Sequence, residues 1–71
     1  MALSPAALVI KKFGGVSALA DALGIRAAAV SRWKTAGHGC IPTAQQLPIL
    51  RLARRRGIPL TPAEIILGTS E

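Results

Sequence analysis

The sequence predicts an all-α fold, a compact bundle of about five short helices, and three observations carry that expectation. Apolar residues recur at i, i+3, i+4 and i+7 in several segments, the spacing of one helix face. Glycines, prolines and capping residues divide those segments cleanly. Strand signals are poor, because alternation is rare and the β-branched residues fall at helical spacing.

The first element opens at Ser4, a capping residue, and Pro5, whose fixed φ and missing N–H suit the first helical position. Ala6, Val9, Ile10 and Phe13 then form one apolar stripe, which Gly14 and Gly15 stop. Val16, Leu19, Ala20 and Leu23 repeat the spacing on a second short helix, ended by Gly24 in a left-handed conformation. A third helix is expected from about Ala27 to Thr35, stopped by Gly37, and "GHGCIP" reads as a loop. Thr43 opens a fourth helical region whose apolar face is Ile49, Leu52 and Ala53, closed by Gly57. Pro48 lies too deep for its first turn, so a kink is expected there, or a short turn followed by a fresh helix through Arg56. Last, in "TPAE", Thr61 caps, Pro62 takes the first position and Glu64 completes a capping box ahead of Ile65, Ile66 and Leu67.

Only Gly24, Ile25 and Arg26 separate the second helix from the third. A glycine-containing turn this short makes two helices cross steeply, the helix-turn-helix arrangement. It needs a small residue at the closest approach (Ala20), glycine at the bend (Gly24) and apolar anchors behind the second helix (Ile25, Val30 and Trp33). At about 100° per residue, Ala27, Ala28, Ser31, Lys34 and Thr35 cover the opposite face, with Arg32 on its flank. Such a face suits a DNA major groove. Alanine can touch a thymine methyl, Ser31 and Thr35 offer hydroxyls, and Arg32 can reach guanine in a bidentate way or grip phosphate. Arg26, at the start of the helix, can turn out to a phosphate, and Lys11, Lys12 and Lys34 are further phosphate candidates.

Length and charge bound the rest. Seventy-one residues are expected to make one domain spanning 1–71, marginally stable unless a partner subunit or very regular packing reinforces it. Cys40 is the sole cysteine, so no intrachain disulfide can form and a reducing cytoplasm fits best. "AALVI" is far too short to span a bilayer, and Lys11 and Lys12 follow it in the wrong order for a secretory signal. A soluble, cytoplasmic chain without membrane association is expected. Nine Lys and Arg against Asp21, Glu64 and Glu71 give a net charge of +6 and a pI near 11.4. That balance favours a polyanionic partner, nucleic acid before an anionic membrane surface. Three scattered acids, one His and one Cys supply no acid/base pair, and "GG" lacks the lysine of a phosphate-cradling loop, so neither catalysis nor a cofactor is expected.

"FGGVSALADALGIRAAAVSRWKTAG", continuing to "IP" and "GIPLTPAEI", resembles the Cro/YdaS-like group of small helix-turn-helix regulators of phages and mobile elements. The likeness runs from about Val9 to Ile65 and rests on Phe-Gly-Gly, Ala-Leu-Gly-Ile and Val-Ser-Arg-Trp-Lys. It implies a lambda-repressor-like, Cro-like fold and a dimeric repressor on a palindromic operator, sometimes the antitoxin-like partner of a toxic protein. It also implies DNA contact at Arg26, Ala27, Ala28, Ser31, Arg32 and Thr35. The arginine-rich "RLARRR" and the hydrophobic tail depart from the pattern and leave the dimer interface open.

Several features carry two readings. Arg51, Arg54 and Arg55 share one face, either solvated or on backbone phosphate. Leu60, Ile66 and Leu67 are surplus apolar residues, suited to core, to a homodimer seam or to a protein partner of an antitoxin or anti-activator. An architectural DNA-bending factor is a third possibility. His38 and Cys40 alone cannot complete a tetrahedral metal site, and Cys40 is expected to be a small filler beside Ile41. Periodicity assigns Trp33 to the core.

Overall fold

The computed structural model describes residues 3–35 and 37–68. Five helices and no strand lie among them: α1 (Pro5–Phe13), α2 (Val16–Leu23), α3 (Ala27–Lys34), α4 (Thr43–Arg56) and α5 (Pro62–Leu67). The all-helical expectation holds, and so do its capping assignments. Ser4 Oγ accepts the Ala7 N–H at 3.3 Å, while Thr61 and Glu64 exchange both bonds of the capping box. These side chains satisfy amide donors that the first turn of any helix leaves without a partner.

Three helices end in the same way. Glycine follows α1, α2 and α4 with φ of 95°, 72° and 70°, at Gly14, Gly24 and Gly57. The next residue turns its N–H back along the helix, as Ile25 does to the Ala20 carbonyl (3.0 Å) and Ile58 to the Ala53 carbonyl (2.8 Å). Both isoleucines then pack against the core. One motif thus caps the helix and folds the chain back over its own last turn.

α4 excludes one of the two outcomes expected at Pro48, the fresh helix. It runs unbroken from Thr43 to Arg56 with Pro48 inside, so no fresh helix begins there. Pro48 has no N–H to give the Ala44 carbonyl, but both residues face solvent, and water can take that carbonyl. Buried Ile49 and Ala53 anchor the following turns to the core.

The core takes Ala6, Val9, Ile10 and Phe13 from α1, Leu19 and Ala20 from α2, Val30 and Trp33 from α3, Ile49 and Ala53 from α4, and Ile65 from α5. Ile41 adds the loop before α4. Leu8 is buried too, although it lies off the expected stripe. Cys40 corrects the sequence reading: it is exposed, and its neighbour Ile41 fills the interior alone. Gly39 ties this loop down, donating to the Trp33 carbonyl at 2.7 Å and accepting the Ala6 N–H at 2.8 Å. The C-terminal end of α3 is thereby fastened to the start of α1.

Candidate nucleic-acid interface

The α2–α3 bend is built by backbone conformation more than by side chains. Gly24 is left-handed, its φ of 72° easily reached without a Cβ, and Arg26 is extended (φ −79°, ψ 145°) before α3 begins at Ala27. Behind the bend, Ala20 and Val30 are buried and Trp33 is 6% exposed, while Ile25 packs partly against them. α3 rests on α2 and α1; among the described residues its backbone approaches neither α4 nor α5.

That one-sided packing leaves the other side of α3 free. Ala27, Ala28, Ser31, Arg32, Lys34 and Thr35 are all exposed, and so is Arg26 at the cap position. Ala29 is half-buried and marks the boundary between the two faces. The face measures about 12 Å along α3, a length that fits within a major groove. The Thr35 hydroxyl donates a long 3.4 Å bond to the Ser31 carbonyl, which leaves its oxygen able to accept.

The two lysines of α1 part company. Lys11 is exposed, whereas Lys12 donates to the Pro59 carbonyl at 2.6 Å and bridges α1 to the α4–α5 connection. Lys12 therefore has a structural bond that spacing alone does not announce. His38 and Cys40 are exposed in the loop after α3, and no three His, Cys, Asp or Glu side chains gather among the described residues. No helix there is long and apolar enough to cross a membrane.

A second surface lies on the far helices. α4 and α5 frame an open groove of about 290 Å³ lined by Thr43, Gln46, Leu47, Leu50, Pro62, Ile65 and Ile66. Leu47 and Ile66 on its lining are 53% and 60% exposed, and Leu67, the last residue of α5, is 75% exposed. Of Leu60, Ile66 and Leu67, Leu60 takes the core reading and is half-buried against it. Leu47 was missed, although Thr43, Leu47 and Leu50 already show the i, i+4, i+7 spacing of a second apolar side.

No curated protein and no solved structure matches the chain. A family model does, described as DNA-binding transcriptional regulator Cro, over residues 6–54. That span holds α1 except Pro5, then α2, the bend and α3, and it ends inside α4, so the exposed α3 face falls entirely within it. The matched family is one of DNA-binding regulators and not a class of enzymes. With its glycine-broken helix pair and the unburied side of the second helix, the chain belongs to the family of the DNA-binding transcriptional regulator Cro.

Proposed function

We propose that the protein is a Cro-like repressor, a single helix-turn-helix domain that binds a roughly palindromic operator in the cytoplasm as a homodimer. The observation that carries this reading is the division of α3, with Val30 and Trp33 inside and Ser31, Arg32, Lys34 and Thr35 outside. Ser31, Arg32 and Thr35 read base edges, and Ala27 and Ala28 allow close approach in the major groove. Arg26, Lys34 and Lys11 contact phosphates; Lys12 adds its charge from a side chain already bonded to Pro59.

Size supports a dimer. The longest extent of one protomer is 28 Å, and it carries one such helix, while successive major grooves on one face of DNA lie about 34 Å apart. Two copies are needed to fill two half-sites. The α4–α5 groove supports the seam, since exposed Leu47 and Ile66 on its lining give one surface both apolar projections and a hollow, which a two-fold axis can set against each other. The same patch supports a second reading, in which a foreign protein docks there and the chain acts as an antitoxin or anti-activator.

Footprinting across the region upstream of the protein's own gene tests the proposal. A protected palindrome with half-sites one helical turn apart supports it. A long protected tract or a set of direct repeats points to an architectural factor, and a stoichiometric foreign partner with no footprint favours the second reading. Arg32→Ala is expected to relax preference at one base position by about 1–3 kcal/mol. Equal weakening on every sequence would make Arg32 a phosphate anchor instead.

A further inference from the structure

Four arginines, Arg51, Arg54, Arg55 and Arg56, crowd the C-terminal half of α4, and all are exposed. At about 100° per residue, Ala44, Leu47, Pro48, Arg51, Arg54 and Arg55 form the outer ridge of that helix, opposite buried Ile49 and Ala53. The ridge is apolar in its first half and carries three guanidinium groups in its second. α2 separates it from α3, packing against both helices. A shallow hollow of about 310 Å³ runs between α2 and α4, with Arg51 and Arg55 on its rim.

Helix-end stabilisation covers only part of this. Cations in a last turn are favoured by the helix dipole, which accounts for Arg54, Arg55 and Arg56. Arg51 lies more than a turn before the end. Two of the last four carbonyls, moreover, already accept from backbone: Ala53 from Ile58 at 2.8 Å and Arg54 from Gly57 at 3.3 Å. Three like charges on one ridge repel each other, a cost that a multiply charged anion removes. Each guanidinium offers a fork that matches phosphate. Arg54 and Arg55 are the i+3 and i+4 neighbours of Arg51, about 5–6 Å away at Cβ, so three positive charges cluster on one side. A backbone that carries a charge at every nucleotide meets such a cluster better than an isolated carboxylate does.

We propose that Arg51, Arg54 and Arg55 form a second phosphodiester-binding surface, which holds duplex DNA regardless of base sequence while α3 reads the groove. This rests on the α3 reading above. The test compares wild type with the combined Arg51→Gln, Arg54→Gln and Arg55→Gln variant on random-sequence duplex DNA over a salt series, with circular dichroism to check helix content. Each lost phosphate contact takes about 0.9 off the slope of log affinity against log salt, so the slope falls by roughly 2–3 and low-salt affinity by about 10- to 100-fold. The matching triple Arg→Lys variant keeps most of the slope, because its charges remain. Should the triple Gln variant lose helix content, Arg51→Gln alone carries the same readout at about 0.9. An unaltered slope with wild-type binding intact overturns the ridge proposal alone. So does lost binding to polyglutamate with DNA binding retained, which would assign the ridge to an acidic protein. A wild type that binds no random-sequence duplex also overturns the ridge proposal, whereas only a wild type that protects no operator in the footprint would remove the α3 reading itself.

Discussion

Two glycines show how much one missing Cβ contributes, and for different reasons. A Cβ built on Gly24 meets nothing within 4 Å, so Gly24→Ala costs only the left-handed backbone that alanine resists. That penalty is about 1–2 kcal/mol. Gly39 has φ of 80° as well, but its added Cβ would lie 2.5 Å from Ser4 Cβ, the residue that caps α1. Gly39→Ala is therefore expected to destabilise more than Gly24→Ala, because it adds a clash with a cap to the same backbone strain. Thermal unfolding separates them: each kcal/mol shifts Tm by roughly 4–8 °C in a domain of this size. Equal shifts would show that the loop moves away from Ser4 at no cost. At this scale the sequence was mostly legible, since a glycine between two helical stripes has few other uses. The identity of the atom facing Gly39 was not, because Ser4 is distant in the chain.

At the scale of elements, α4 is the informative case. A proline six residues into a helix signals a kink or a fresh start, and at Pro48 the helix continues with no fresh start. Propensity is local, whereas burial of Ile49 and Ala53 on the far side of the same turn is not. Proline in a helix interior costs up to about 3 kcal/mol relative to alanine. Pro48→Ala restores a donor to the Ala44 carbonyl at an exposed position, and it is expected to stabilise the protein by about 1–3 kcal/mol with helix content unchanged or slightly higher. Chemical denaturation measures this directly. A fall in stability would mean that the proline ring is itself a packing element, for instance in the hollow it shares with Leu23 and Leu52. The other four helices lie within a residue or so of their expected bounds, because α1 and α5 open on a capping residue with a following proline and glycines bracket α2 and α3.

At the scale of the whole molecule, the two exposed sides differ in chemistry. α3 presents small, hydroxyl and cationic side chains, whereas the α4–α5 side presents leucine and isoleucine. If that apolar side is the seam between copies, Ile66→Glu with Leu67→Glu shifts sedimentation from dimer to monomer. Both side chains are more than half exposed, so monomer stability should change by less than about 0.5 kcal/mol. DNA affinity then falls through lost dimerisation, with the α3 contacts untouched. A double variant that still sediments as a dimer would place the seam elsewhere.

What could be read without coordinates was everything governed by neighbours in the chain. Caps at Ser4 and Thr61, the left-handed stop at Gly24 and the two faces of α3 depend on residues within about a turn of one another. What needed the folded molecule was everything set by distant partners. The Lys12 ammonium rests on Pro59, Cys40 turns outward while Ile41 goes in, and Leu60 is covered where Leu47 is not. Those outcomes follow from which helices meet. Burial is a property of the packed set, and periodicity in one helix does not specify its neighbours.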